Sequence, residues 1–230
     1  VKGFLLTYVL IGIIVVFSRE ISLTWLHYVS KPLIMLSLLW LYIRQSRYKQ
    51  SSQYWFIVAS IIFSLLGDIC LMFGGNQWFI AGLASFFLAH VGYIIAFFHR
   101  SPPLGPPSLL RRRPWLILPF LIFATVLLGL VLPGSGPLKL PVLAYATVII
   151  SMTLAALNRW SHVAERSFSG VFSGALLFVI SDSMIAIDRF ASELLPIPGV
   201  AIWIILTYMS AQYLIITGLL EQDWYLYNRK

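Results

Sequence analysis

Two aspartates lie inside apolar stretches of the sequence: Asp68 between Ser64 and Met72, and Asp182 between Phe178 and Arg189. A carboxyl group in hydrocarbon costs roughly 2.5–3.5 kcal/mol, so such residues usually face a protein interior and have a function there. Two carboxyl groups at one buried site can divide into a protonated and an ionised form, which supplies a general acid and a general base together. The same pair also suits proton-coupled transport. The residues alone leave these two functions open.

The elements that must position these acids are membrane helices. The chain has 230 residues, of which 60% are hydrophobic and 10% charged, and its mean hydropathy is +0.88. This composition excludes an ordinary soluble domain, and the unbroken apolar runs do not alternate as membrane-spanning strands would. The 16 Lys and Arg residues against 8 Asp and Glu predict basic loops that set membrane orientation, and no nucleic-acid partner. The sequence therefore predicts an all-α bundle.

Eight apolar runs each come close to the ~20 residues that cross a hydrocarbon core of ~30 Å. They cover residues 3–18, 23–43, 54–72, 78–98, 114–132, 138–157, 168–188 and 199–220. The first run follows Lys2, as in a signal peptide, but no small-residue cleavage site follows Phe17, so we interpret it as a helix. We expect one transmembrane domain over residues 1–230. Gly67-Asp68 in the third run and Ser181-Asp182 in the seventh suggest a weak parallel repeat of four helices.

The loop charges predict which side of the membrane holds the termini. Eight spans place twelve basic residues on the side of both termini and four on the other side. The twelve are Lys2, Arg44, Arg47, Lys49, Arg100, Arg111, Arg112, Arg113, Arg159, Arg166, Arg229 and Lys230. The positive-inside rule therefore predicts cytoplasmic termini. The cluster Arg111–Arg113, which follows the linker Ser101–Pro107, is expected to contact anionic lipid headgroups and to have no catalytic role.

Counting residues along each run predicts which polar side chains share a depth in the membrane. Asp68 and Asp182 each lie 14 residues after the start of their runs, which places both about 21 Å from the cytoplasmic edge at 1.5 Å per residue. Tyr208 and Lys31 lie at about 16 and 18 Å. Four helices thus bring these side chains to one level, where they could line one pocket. Two further polar residues, His90 and Gln212, lie deeper, at about 12 and 10 Å.

Structural interpretations compete with this shared pocket. Asp68 continues a stripe with Ser60 and Ser64 that could form a hydrogen-bonded seam between helices. Asp182 could pair with Lys31 only to hold helices together. Lys31 could instead extend to the membrane surface, if the second helix begins at Lys31-Pro32.

The remaining candidates have packing alternatives of their own. Tyr93 and Tyr208 are residue types that more often pack than react, and His90 is more often a packing histidine than a metal ligand. The spans contain no His-x-x-x-His or Glu-x-x-His pair, so no metal site is predicted. Four charged residues near the outer boundary are interpreted as solvated: Arg19, Glu20, Asp188 and Arg189.

Five stretches resemble the YhhN family of eight-span membrane proteins, also called the lysoplasmalogenase family. They are Lys31-Pro32-Leu33, SLLGDICLM (64–72), GLASFFLAHVGY (82–93), GALLFVISDSMIAIDRF (174–190) and TYMSAQYLI (207–215). The resemblance follows the chain in order over nearly its whole length and includes the polar residues of the predicted pocket. Runs 1, 5 and 6 contribute little to it.

The resemblance implies hydrolysis of the vinyl ether bond of lysoplasmalogens, which yields a fatty aldehyde and glycerophosphoethanolamine or glycerophosphocholine. On that basis Asp68 and Asp182 are expected to be the acid and base, in either order, with no metal or cofactor. The expected supporting residues, which hold phosphate, position water or complete the polar network, are Lys31, His90, Tyr93, Tyr208 and Gln212. The partners would be a lysophospholipid entering from the bilayer, and membrane lipids, in a bacterial inner membrane. A transporter or lipid-binding protein of the same fold is the alternative.

Overall fold

The computed structural model describes residues 2–98 and 108–228, and eight long helices account for most of them. The helices are α1 Lys2–Glu20, α2 Thr24–Gln45, α3 Ser52–Leu71, α4 Asn76–Phe98, α5 Leu118–Val131, α6 Lys139–Leu157, α7 Glu165–Phe190 and α8 Val200–Tyr227. Short helical turns at Pro114–Ile117 and Pro133–Leu138 lengthen α5 and α6 at their N-termini. The linker Ser101–Pro107 and the basic residues Arg100, Arg229 and Lys230 lie outside the described residues.

All eight helical segments are long and apolar enough to cross a membrane. The predicted all-α, eight-span fold is thus confirmed, and the protein is an integral, multi-pass membrane protein. The last apolar run, residues 199–220, forms most of α8, and the helix continues beyond it to Tyr227. Its polar C-terminal turns have tertiary partners: Gln222 Oε1 accepts a hydrogen bond from the Ala164 N–H at 2.9 Å, and Asp223 Oδ2 accepts one from Ser46 Oγ at 2.7 Å.

Seven of the eight helices form a closed ring. α1 packs on α2, α2 on α3, α3 on α4, α4 on α6, α6 on α7 and α7 on α8, and α8 returns to α1 and α2. α5 lies outside this ring against α6 and α7, and Val131 is its only buried residue. Because its other side chains can face lipid, α5 needs no polar partner. The ring places α3 and α7, the helices of the two acids, on opposite sides of one interior.

Small residues bring two helix pairs of the ring into close contact. A Cβ atom at Gly174 of α7 would lie 2.7 Å from the Ala211 carbonyl oxygen of α8. A Cβ at Gly67 of α3 would lie 2.6 Å from the ring of Phe86 on α4, and one at Gly92 of α4 would collide with Ser60 Oγ of α3. Such glycines allow helix backbones to approach closely in a membrane. They fix the α3–α4 and α7–α8 pairs that carry the acids.

The two acids lie nearer one end of the bundle than the other. We call the end at which α1 begins and α8 ends the terminal end, and the other the opposite end. At the opposite end α3 and α4 are joined by a tight turn in which Gly75 has φ +97°, as the sequence Gly74-Gly75-Asn76 predicts. Asp68 lies one turn before the end of α3, so the acids lie nearer the opposite end.

The membrane orientation stays a prediction that a fusion can test. We expect a reporter fused to the C-terminus to behave as cytoplasmic, because twelve of the sixteen basic residues fall on the side of the termini. The measurement compares a reporter that is active only in the cytoplasm with one that is active only after export. Activity of the exported reporter alone would overturn the predicted orientation.

Candidate active site

A polar cavity of about 60 Å³ lies inside the ring towards the opposite end. The two acids line it together with Lys31 and Tyr208, so these four side chains, which come from α3, α7, α2 and α8, converge as their predicted depths suggest. The other polar residues on the wall are Arg19, His27 and Ser181. A water needs roughly 10–15 Å³ of such space. The cavity can therefore hold several waters between the acids.

Asp68 is held by partners from two other helices. Lys31 Nζ lies 3.8 Å from its Oδ1, and the Tyr208 hydroxyl donates a hydrogen bond to its Oδ2 at 2.6 Å. Lys31 lies in the second turn of α2, which begins at Thr24, close to the predicted start at residue 23; the alternative in which the helix begins at Lys31-Pro32 is not observed. Since its side chain is only 17% exposed, Lys31 serves the cavity and does not extend to the membrane surface.

Asp182 has a different environment. The Tyr145 hydroxyl of α6 donates a hydrogen bond to Asp182 Oδ2, and His90 Nε2 of α4 lies 3.9 Å from the same oxygen. Lys31 makes its ion pair with Asp68, so the alternative in which Lys31 and Asp182 form a structural pair is not observed. Of the two acids, Asp68 therefore has the ammonium partner, whereas Asp182 is contacted by a hydroxyl and an imidazole.

A chain of hydrogen bonds leads from Asp68 towards the terminal end. Gln212 Nε2 donates to Ser64 Oγ at 3.1 Å and approaches the Tyr208 hydroxyl at 3.5 Å. The Tyr93 hydroxyl donates to Gln212 Oε1 at 2.9 Å. Gln212, Tyr93 and His90 are fully buried behind the cavity and are not on its wall. Ser64 belongs to a seam, as the alternative interpretation proposes, but the partners of Asp68 itself come from α2 and α8.

Two residues at the site, Tyr145 and His27, were missed from the sequence. Arg19 is exposed, as its interpretation as a solvated boundary residue predicts, and it also lines the cavity. Tyr145, on the sixth run, was not considered. His27 was not considered either; it lines the cavity, with its Nδ1 3.4 Å from Ser18 Oγ. The same depth count that selected Lys31 could have found Tyr145. It lies six residues after the start of α6, so it is about 9 Å from the end of α6 that lies at the opposite end of the bundle.

Apolar space adjoins Asp182 in two slots that none of the basic side chains of the polar cavity lines. One slot of about 50 Å³ lies among α5, α6 and α7 and is lined by Leu127, Val142 and Ile149 as well as Tyr145 and Asp182. A second, of about 50 Å³, lies among α3, α4, α6 and α7 and also reaches Tyr145 and Asp182. Asp182 thus stands at the junction between polar and apolar space.

The arrangement is suited to acid–base chemistry on an amphiphile. Three basic side chains, Arg19, His27 and Lys31, line the polar cavity with the acids, and basic groups of this kind recognise phosphate. Each acid accepts a hydrogen bond from a tyrosine hydroxyl. Over residues 2–98 and 108–228, no group of three or more His, Cys, Asp or Glu side chains could hold a metal ion.

Comparison with known proteins finds relatives that align with most of the chain. The chain is 32% identical to human lysoplasmalogenase TMEM86B over 200 residues, which cover 85% of this chain and 76% of the relative. It is 31% identical to bovine lysoplasmalogenase TMEM86A over 72% of this chain and 65% of the relative.

A bacterial relative extends the comparison. The chain is 30% identical to the lysoplasmalogenase of Mycobacterium tuberculosis over 70% of its own length and 59% of the relative's. No solved structure is significantly similar to the chain. The sequence profile of the YhhN family matches residues 26–219, a range that contains every residue of the cavity except Arg19, and the chain therefore belongs to the YhhN family.

Proposed function

We propose that this protein hydrolyses the vinyl ether bond of lysoplasmalogens, releasing a fatty aldehyde and glycerophosphoethanolamine or glycerophosphocholine. The observation that carries the proposal is one cavity in which two acids meet three basic side chains, with apolar slots beginning at Asp182. This order of cation, acid and apolar space matches the order of phosphate, ether and hydrocarbon chain in the substrate. The names of the relatives, lysoplasmalogenases from mammals and a mycobacterium, support the same activity.

The substrate would enter from the bilayer and lie across the cavity. Its phosphate would meet Arg19 and Lys31, which can make charge-assisted hydrogen bonds to it, and the imidazole of His27 beside them. The first carbon atoms of its alkenyl chain would enter the apolar slot between α5, α6 and α7, whose wall includes Asp182 and Tyr145. The vinyl ether joins the glycerol, which carries the phosphate, to the hydrocarbon chain. It would therefore lie between the phosphate and the chain, beside the two acids. We place the protein in a bacterial inner membrane.

The surroundings of the two acids favour different roles for them. Asp68 lies 3.8 Å from the Lys31 ammonium group, so it is suited to remain a carboxylate. Asp182 borders the slots in which the hydrocarbon chain begins, so it is placed to deliver a proton to carbon. We therefore assign Asp182 as the general acid and Asp68 as the base and electrostatic stabiliser.

The reaction follows from these roles. Asp182 protonates the β-carbon of the vinyl ether, and the electrons of the double bond leave an oxocarbenium ion at the adjoining carbon. The Asp68 carboxylate stabilises that cation and takes a proton from the water that adds to it, forming a hemiacetal. The Asp182 carboxylate then takes the hydroxyl proton of the hemiacetal while protonated Asp68 donates its proton to the glycerol oxygen. The carbon–oxygen bond to the glycerol breaks, which gives the aldehyde and the free glycerol hydroxyl and restores both carboxyl groups. Two carboxyl groups and one water balance the reaction.

The test is release of aldehyde by purified protein. We expect a lysoplasmalogen to yield fatty aldehyde, whereas the analogue with a saturated alkyl ether yields none, because only the vinyl ether can be protonated at carbon. The chain from Asp68 through Tyr208 and Gln212 to Tyr93 is the observation that favours the alternative, a proton-coupled transporter. Proton-dependent uptake of a solute into vesicles, with no aldehyde formed, would favour that alternative.

Tyr145 is proposed to position the general acid. Its hydroxyl contacts Asp182 Oδ2 and lies 3.3 Å from His90 Nε2, so one oxygen of the carboxyl group is held and the other is left for the substrate. Asp182 becomes a carboxylate as it gives up its proton, so the hydrogen bond from Tyr145 strengthens in the transition state, and loss of a hydrogen bond to a charged group costs about 1.5–3 kcal/mol. We therefore expect Tyr145→Phe to lower kcat by roughly 10- to 100-fold with little change in KM.

The matched control for this variant is Tyr8→Phe. Tyr8 is also buried, but its hydroxyl donates to the Met209 carbonyl oxygen at 2.9 Å and does not line the cavity. A positioning role requires that Tyr145→Phe lose activity while Tyr8→Phe retains it, at equal yield of folded protein. Equal activity of the two variants would remove Tyr145 from the mechanism.

A further inference from the structure

A second recognition feature lies at the terminal end, away from the polar cavity. A groove of about 600 Å³ opens between the chain segment 109–116, the C-terminal end of α6 and the first turns of α7. The residues that shape it are Arg112, Arg113, Leu116, Trp160, Phe168 and Phe172. None of them takes part in the site described above, and the YhhN relationship assigns them no role.

One wall of the groove is aromatic. The rings of Trp160 and Phe168 meet edge to face with centroids 4.8 Å apart, and those of Phe168 and Phe172 stack at 5.6 Å. Phe172 lies seven residues after the first residue of α7, about 10 Å into the bundle. The wall is therefore long enough to follow the first part of a hydrocarbon chain down from the membrane surface.

The rim of the groove is basic. Arg112 and Arg113 are exposed, and none of the residues that line the groove is acidic. The turn that carries these arginines is held in place, because the Leu110 N–H donates to Asn158 Oδ1 at 3.1 Å. Arg159, which precedes Trp160, is buried; burial lowers its pKa to about 9, so it is charged at neutral pH and adds to the positive field.

The position of the groove indicates a ligand from the bilayer. Trp115 and Trp160 are 58% and 51% exposed, and exposed tryptophans of membrane proteins lie at the headgroup level. A soluble anion would use the two guanidinium groups but would leave uncovered the exposed part of the aromatic wall, which is the ring of Trp160 and part of the ring of Phe172. A lipid with an anionic headgroup would use both, because its phosphate can meet the rim while an acyl chain covers the wall.

We propose that this groove binds one anionic phospholipid of the surrounding bilayer. Its phosphate contacts Arg112 and Arg113, and one of its acyl chains lies along Phe168 and Phe172. This goes beyond a general attraction of basic residues for the membrane, since it distinguishes the two arginines that line the groove from the neighbouring Arg111, which does not. The binding is independent of the reaction proposed for the cavity.

The test is the thermal stability of the full chain in detergent as lipid is added. We expect phosphatidylglycerol to raise Tm by about 2–4 °C, and phosphatidylcholine with the same acyl chains, or inorganic phosphate, to leave it unchanged. The double variant Arg112→Gln/Arg113→Gln should lose at least half of the rise. Both side chains are exposed, so the variant is expected to fold.

The matched control removes two charges from the same end of the molecule. Arg111 and Arg166 are exposed and do not line the groove, so Arg111→Gln/Arg166→Gln should keep the full rise. Equal losses in the two double variants would overturn the proposal and indicate a diffuse charge effect. A rise produced by inorganic phosphate, or an equal rise with phosphatidylcholine, would also overturn it.

Discussion

Replacement of Asp182 by asparagine is expected to lower aldehyde release from a lysoplasmalogen by about 10²- to 10⁴-fold, the usual contribution of a general acid. Asparagine keeps the shape of the side chain and can still accept the hydrogen bond of Tyr145. It cannot deliver a proton to carbon. Because the variant removes the proton donor and not the binding cavity, the loss should appear in kcat, measured as aldehyde formed at saturating substrate.

Asp188 provides the control for this substitution. It lies on the same helix and is exposed, and the polar cavity does not include it. Asp188→Asn should therefore retain the activity of the unaltered protein. Full hydrolysis by the Asp182→Asn variant would remove Asp182 from the mechanism.

Replacement of Asp68 by asparagine is expected to lower activity on a similar scale and to reduce stability as well. The loss of activity follows from removal of the base and of the negative charge that faces the oxocarbenium ion. The loss of stability follows because Lys31, 17% exposed, would keep its charge without its carboxylate partner. The measurements are kcat and the melting temperature of the detergent-extracted protein.

A double variant separates the two effects. In Asp68→Asn/Lys31→Met no unpaired ammonium group remains, so the melting temperature should recover towards that of the unaltered protein while hydrolysis does not. Recovery of hydrolysis together with stability would mean that the Asp68–Lys31 pair only holds α2 and α3 together. That result would contradict the role of Asp68 as base.

Depth in the membrane is the part of the site that could be predicted from the sequence. Each helix advances 1.5 Å per residue, so counting from the ends of apolar runs gave the level of Asp68, Asp182, Lys31 and Tyr208. The cost of a carboxyl group in hydrocarbon then required the acids to face inwards. Together with the family resemblance, these two arguments predicted one shared cavity, and all four side chains lie on its wall.

The neighbours of each side chain could not be predicted, because depth says nothing about the direction in which a residue faces. The contact between α4 and α6, which brings His90 and Tyr145 to Asp182, depends on α5 lying outside the ring. α5 and α6 are both strongly apolar, so hydropathy did not distinguish the outer helix from the inner one. For the same reason Tyr145, on the sixth run, was not considered.

The partners of the acids support the proposal of a four-helix repeat. Asp68 on α3 is contacted from the preceding helix, α2, and from α8. Asp182 on α7 is contacted from the preceding helix, α6, and from α4. A shift by four helices turns α3 into α7 and α2 into α6, and it turns α8 into α4. The helices that contact Asp68 then become the helices that contact Asp182. We propose that the two acids occupy equivalent positions of a parallel repeat.

The most direct test of the central claim, that an acid in this cavity protonates the vinyl ether at carbon, is the mass of the products formed in isotopically labelled water. In D₂O the aldehyde, trapped at once by reduction, should carry one deuterium on the carbon next to its carbonyl group. In H₂¹⁸O the glycerol product should contain no ¹⁸O, because the bond that breaks lies between the oxygen and the alkenyl chain. An aldehyde without deuterium, or ¹⁸O in the glycerol product, would contradict the account.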